Sequence, residues 1–291
     1  MDCTSPVFGQ FPCGKCINCR ARSRQEWVFR LREEYKACNF GLFVTLTYDD
    51  DKLPPDGVSI EDVQKFMKRF RKRLCTKFKD QKYSDMCRYY IVSEYGDHTF
   101  RPHYHGLLFF RFDRTPDIYD IIEQSWQNGF CQFGEIEEGS IVYCTKYCLK
   151  GSDVPPGKNP NFRLLSKMSG GIGINYLRIN GDFHFGKLDK PQIVSSQSNT
   201  SPMPRYYRTK LLSRLDDLDK EQIKLLYQEQ CEALRKKRET KMLQKFRAER
   251  PGVDPDEIKG LRLTNYQAWY FERLERKEEA IKNRSKKQNL L

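Results

Sequence analysis

The chain has 291 residues, with 52 Lys+Arg against 39 Asp+Glu and a formal net charge of +13. That length suits one large domain plus an extension, and no apolar run approaches the ~18 residues a membrane-spanning helix needs. Positive charge mixed with 16 Tyr and 19 Phe suits a polyanion, single-stranded nucleic acid above all, where phosphates meet cations and bases stack on rings.

The opening stretch, MDCTSPVFGQ, lacks a basic segment followed by an apolar one, so no secretory signal is expected, and the eleven cysteines are read as mostly reduced thiols in a cytosolic setting. Cys13, Cys16 and Cys19 follow in C-x-x-C-x-x-C spacing. A structural Zn²⁺ site needs four ligands, and Cys3 or Cys38 could be the fourth; the alternative is thiols in a loop. Trp27, Leu31, Tyr35 and Cys38 then fall at helical spacing, with Arg20, Arg22 and Arg24 ahead of them as DNA-backbone contacts or a solvated face.

GLFVTLTYDD reads as a strand. Ser59 caps a helix whose apolar face is Ile60, Val63, Phe66, Met67, Phe70 and Leu74. CRYYIVSEYG and HYHGLLFFRF are two strands joined by the GDHTF turn, hence a hairpin. DIYDIIEQSWQNG is a short helix stopped at Gly129, FCQFGEI a fourth strand, and SIVYCTKYCLKG a helix with Ser140 as cap and Gly151 as stop. The order strand–helix–strand–strand–helix–strand predicts an α+β, ferredoxin-like antiparallel sheet with helices on one face and the other open for a site.

RLLSKMSGGIGINYL, Arg163 to Leu177, joins cations to a Gly-rich turn whose amides could approach phosphate. PQIVSSQSNTSPMP, residues 191–204, is Ser/Pro-rich and nearly uncharged, as in a linker. Beyond it, residues 205–291 carry both charge signs at helical spacing, with Leu211, Leu215 and Leu218 on one stripe that Leu225 and Leu226 extend. The expected organisation is a Cys-rich segment and helix over residues 1–40, a catalytic domain over 41–190, the linker, and a charged helical extension.

Chemistry concentrates in two places. His103 and His105 lie at i and i+2 on a strand and share a face, with Tyr104 opposite. Two imidazoles at this spacing can hold one divalent cation, and Glu94 across the hairpin can add a carboxylate while leaving coordination positions open. His98 in the turn is a rival third ligand; the plain alternative is two hydrogen-bonded histidines at a strand mouth. Tyr143 and Tyr147 are four apart on a helix, with Lys146 bordering their stripe and Lys150 on it. A phenol beside Lys⁺ can become a nucleophile toward a phosphodiester; the alternative is packing.

The order FVTLTYDD, EYG…RPHYHG and YCTKYCLK resembles the three-motif layout of the HUH endonucleases, named for histidine–hydrophobe–histidine, in their two-tyrosine form. With PCGKC..C near the start and GIG..YL after the tyrosines, the chain is similar in more detail to the replication initiators of microviruses, in the gokushovirus branch. About two-thirds of the chain takes part, and residues 205–291 do not. The resemblance implies site-specific nicking and rejoining of origin DNA in rolling-circle replication in the bacterial host cytoplasm. His103, His105 and Glu94 would hold Mg²⁺ or Mn²⁺, and Tyr143 and Tyr147 would form 5′-phosphotyrosine links, assisted by Lys146 and Lys150. Arg101, Arg163 and Lys167 would contact DNA, and a host helicase and polymerase would be partners. A relaxase, an HUH transposase and a non-catalytic nucleic-acid-binding protein are the competing readings.

Overall fold

The computed structural model describes residues 14, 16–79, 82, 86–96, 98–146, 154–188, 192–194, 200–257 and 264–288. The described residues of Cys19–Phe183 form one compact unit; those from His184 on, with the few before Cys19, form another.

In chain order run α1 (Ile17–Lys36), β1 (Phe40–Thr47), α2 (Ile60–Lys77), β2 (Cys87–Tyr95), β3 (Pro102–Phe110), α3 (Ile118–Trp126), β4 (Cys131–Glu135), α4 (Glu138–Lys146), β5 (Arg163–Leu165) and α5 (Asn175–Phe185). The strands form an antiparallel sheet in the order β4-β1-β3-β2-β5. The expected α+β class is borne out, and the 4-1-3-2 arrangement follows from a β-α-β-β-α-β order with a central hairpin. The hairpin pairs Cys87 with Phe110 at one end and Tyr95 with Pro102 at the other.

Period-2 alternation sends each strand's residues to two different cores. On one face Leu42, Val44, Leu46, Tyr104, Leu108 and Phe110 pack beneath α2 and α3, against Val63, Phe66, Phe70, Ile122 and Trp126. Helix α2 starts where expected: Ser59 Oγ accepts the Asp62 amide at 3.2 Å, and Glu61 and Asp62 sit favourably in its first turn. On the other face Tyr90, Val92, Leu107 and Phe109 pack with Leu31 and Trp27 of α1 and with Ile141 and Cys144 of α4. Helices therefore lie on both faces, and the face expected to be open is roofed over part of its area. The apolar stripe of α1 needed a second sheet face to cover it.

Several local boundaries differ from the sequence pattern. Helix α3 ends at Gln127, which itself takes the left-handed conformation, φ 59°, leaving Gly129 to the following turn. Helix α4 begins at Glu138, before Ser140, whose hydroxyl accepts the Glu137 amide at 3.2 Å; the expected stop at Gly151 lies outside the described residues. Strand β5, only three residues long, was not apparent from periodicity, nor was α5.

The Gly-rich turn has a structural role. Glu34, fully buried, pairs with the equally buried Arg88 at 3.1 Å and with Arg111 at 2.9 Å. The Gly173 amide donates to Glu34 Oε2 at 2.6 Å, Arg88 donates to the Gly171 carbonyl at 2.6 Å, and Arg30 donates to the Ile172 carbonyl at 2.9 Å. The Gly173 amide, expected to meet phosphate, is thus turned inward, because a buried carboxylate must be hydrogen-bonded.

In the second unit the expected linker contains two short paired strands, β6 (Gln192–Val194) and β7 (Thr200–Pro202), anchored by buried Ile193. The leucine stripe is interrupted: α6 (Arg205–Leu212) ends, and α7 (Asp217–Glu249) restarts with Asp216 capping the Asp219 amide at 2.8 Å. Leu211 is buried whereas Leu218 is exposed. Helix α8 (Asn265–Gln288) meets α7 through buried Phe246 and Trp269, whose indole donates to Glu249 Oε2 at 2.9 Å.

Candidate metal centre

Across the hairpin Glu94 pairs directly with His103, and His105 lies two residues further along β3 on the same face. Adjacent strands stand ~4.8 Å apart, so this register alone carries the three side chains to one spot. Their ligand atoms lie within 4.8 Å of one another. Among the described residues this is the group of His, Cys and acidic side chains close enough to share an ion. Glu94 Oε2 lies 3.4 Å from His103 Nε2 and 3.2 Å from His105 Nε2. The intervening Tyr104 points to the other core, where its hydroxyl meets Tyr48 at 2.8 Å and the Ser59 amide at 2.7 Å. The strand is thereby pinned from behind.

The second ring nitrogens are also held. His103 Nδ1 lies 3.1 Å from the Arg101 carbonyl, and His105 Nδ1 lies 3.1 Å from Thr45 Oγ1. A carbonyl only accepts, so His103 Nδ1 carries the proton and the neutral ring directs its Nε2 lone pair at the Glu94 carboxylate. Two acceptors facing each other call for a cation between them, and imidazole–imidazole–carboxylate is a donor set that divalent ions accept. Burial, chiefly, pulls His105 below the ordinary imidazole value, with His103 adding to it and Glu94 opposing it. That keeps the ring in its neutral, ligating form.

Helix α4 brings Tyr143 to this cluster. Its anchors, Ile141 and Cys144, are buried in the second core. The Tyr143 hydroxyl donates to Glu94 Oε2 at 2.9 Å and lies 3.4 Å from His105 Nε2. Its ring meets His105 edge-on at a centroid distance of 4.9 Å, and His105 in turn stacks on Phe43 at 5.6 Å. Lys146 Nζ lies 5.5 Å from the Tyr143 ring centroid. Tyr147 and Lys150 lie outside the described residues. Phe43 and Thr45, which shape the site from β1, were missed by motif reading; the alternation of FVTLT was the signal that could have found them.

The remaining candidates are dispersed. Arg101 reaches back to Asp50 Oδ1 and the Tyr48 carbonyl, both at 2.6 Å, bracing the loop after β1. Arg163 stacks over Trp27 at 4.5 Å, and Lys167 is exposed at the start of a short turn of helix over Met168–Gly170. Arg24 donates to the Val142 carbonyl at 3.5 Å, tying α1 to α4. His98 is exposed in the hairpin turn. Cys16 and Cys19 stand at the start of α1, and Cys38 just past its end. A 20-residue helix is ~30 Å long, so Cys38 cannot complete a zinc site with them. Burial pushes its thiol up to about 12, and Sγ donates to the Tyr35 carbonyl at 3.1 Å. Cys3 and Cys13 lie outside the described residues.

Residues 41–152, which include the hairpin and Tyr143, match a family model described as replication-associated protein, of the ORF2 type. The chain is 29% identical over 214 residues to the replication-associated protein VP4 of Bdellovibrio phage phiMH2K, covering 68% of this chain and 66% of that protein. It is 23% identical over 185 residues to the replication-associated protein ORF4 of Chlamydia phage 1, covering 57% of this chain and 45% of that one. The chain thus spans just under two thirds of one relative and less than half of the other. No solved structure matches. The motif resemblance to small-phage replication proteins is borne out by these likenesses.

Proposed function

We propose that this chain, similar over most of its first unit to phage replication-associated proteins, is the initiator that nicks and rejoins origin DNA for rolling-circle replication. The observation that carries the reading is the Tyr143 hydroxyl, 2.9 Å from Glu94 and 3.4 Å from His105 inside the ligand cluster. A nucleophile and a divalent-ion donor set in one place fit phosphodiester transfer better than mere binding.

His103, His105 and Glu94 hold Mg²⁺ or Mn²⁺, which supplies Lewis acidity at a phosphate oxygen. Tyr143 is held by its hydrogen bonds with its oxygen at the cluster's edge, and Lys146 offsets charge beside the ring. The phenol oxygen attacks phosphorus, the P–O3′ bond breaks, the 3′ oxygen takes up a proton, and the 5′-phosphate stays on tyrosine. A host polymerase extends the freed 3′-hydroxyl, with a host helicase unwinding ahead. Attack of a 3′-hydroxyl on the phosphotyrosine reverses the exchange and joins DNA with no nucleotide cofactor. Tyr147, one helical turn from Tyr143 by sequence, is assigned the second exchange.

The test is a labelled single-stranded origin oligonucleotide with Mg²⁺ or Mn²⁺. The expected product is a protein–DNA adduct that survives denaturant and is absent with EDTA. Tyr143→Phe combined with Tyr147→Phe is expected to abolish it while DNA still binds. An adduct persisting in that double variant removes the assigned nucleophiles, and binding with no adduct in the parent chain makes the protein a binding module.

A further inference from the structure

The sheet face that carries the metal ligands also carries an exposed ring two strands away. The row Glu94, His103, Thr47 crosses β2, β3 and β1 in register. It continues to the sheet edge, where the Thr47 amide donates to the Phe130 carbonyl at 3.0 Å. The neighbouring row runs Val92, His105, Thr45, Gln132. Opposed residues of an antiparallel pair share a face, and side chains alternate along each strand. Cys131 and Phe133 pack into the core under α2 and α3. Gln132 therefore faces with the histidines, and the same alternation extended by one step places Phe130 there too. Phe130 is 74% exposed and Gln132 is exposed. At ~4.8 Å per strand, Phe130 stands about 10 Å from His103.

An exposed phenylalanine is ordinary by itself; its mounting is not. Gly129, at φ 155°, lets the turn press against the end of β1: a Cβ there would sit 2.4 Å from the Thr47 carbonyl oxygen and 2.6 Å from the Asp49 nitrogen. The Asp49 amide donates to the Asn128 carbonyl at 2.8 Å, and the Trp126 indole donates to the Thr47 carbonyl at 2.7 Å. The ring is thus presented to solvent from a backbone tied to β1 on both sides. The carboxylates of this rim are paired, Asp50 with Arg101 and Asp49 with Lys52, which lessens repulsion of a phosphate chain.

We propose that Phe130 is a stacking platform for a nucleobase of the strand being cut, the strand crossing β1 from the β4 edge to the Glu94–His103–His105 cluster. The Gln132 amide lies on its route, with a donor and an acceptor for a base edge. The inference rests on the proposed function and adds where the strand runs. A rigidly mounted ring needs no ordering when a base stacks on it, and every base offers a π-face.

The test uses the full chain carrying Tyr143→Phe and Tyr147→Phe, in EDTA, so that oligothymidylate is bound and not cut. Phe130→Ala and Phe130→Leu are expected to weaken binding roughly tenfold. Phe130→Trp is expected to bind as the parent does, its added emission quenched by the DNA. All three should melt within a degree or two of the parent, since the ring is exposed. Unchanged affinity in the Ala and Leu variants overturns this inference alone and leaves the nicking assignment standing. A parent chain that binds no oligothymidylate and no origin oligonucleotide overturns the proposed function, and this inference with it.

Discussion

His103 has one proton to give and gives it to the Arg101 carbonyl, which leaves its other nitrogen as a ligand facing Glu94. Removing that carboxylate leaves two imidazoles, too few donors for a hard divalent ion. Glu94→Gln should therefore weaken Mn²⁺ binding by more than about tenfold in calorimetric titration, with His103→Asn similar. The pH dependence follows from His105, whose folded-state value lies below the ordinary 6.5. Above 6.5 the ring is neutral folded or unfolded. As pH falls below that value the unfolded chain takes up the proton first, so stability is lost toward the depressed folded value. Metal-free protein should show a melting temperature that drops between about pH 6.5 and 5, with a shallower drop in His105→Gln. Identical pH profiles for the two proteins would contradict the burial argument.

At the scale of elements, the unit is joined by one buried carboxylate. Glu34 on α1 satisfies Arg88 on β2, Arg111 beyond β3 and the amide of Gly173. Glu34→Ala leaves the fully buried Arg88 without its counter-charge, and a loss of about 3–5 kcal/mol is expected in urea unfolding. The turn before β4 makes a second prediction. Gly129→Ala must move the Thr47 carbonyl or the Asp49 amide, because both lie closer to the new Cβ than van der Waals contact allows, at 2.4 and 2.6 Å. A cost of about 1–3 kcal/mol is expected, with adduct formation reduced as well because Thr47 neighbours His103.

Over the whole molecule, the net charge of +13 makes binding electrostatic. The logarithm of affinity for single-stranded DNA should fall linearly with the logarithm of salt concentration. A flat line would mean that phosphates are not the main contact. Among the described residues no helix is long and apolar enough to cross a membrane. Much of this was legible in the sequence. The strand–helix order, the hairpin, the shared face of His103 and His105 and the nearness of Glu94 all follow from the residue repeat of a strand and the reach of a tight turn, which are local covalent geometry. What lay beyond sequence reading depended on contacts between distant residues. Glu34 claims the Gly173 amide from 139 positions away and so turns a candidate phosphate loop into a brace. The length of α1 parts Cys38 from Cys16 and Cys19. The Tyr143 hydroxyl reaches Glu94, 49 residues distant, because Ile141 and Cys144 seat α4 on the second sheet face. Periodicity says which way a side chain points along its own element; only the packing of that element against another decides what the side chain meets.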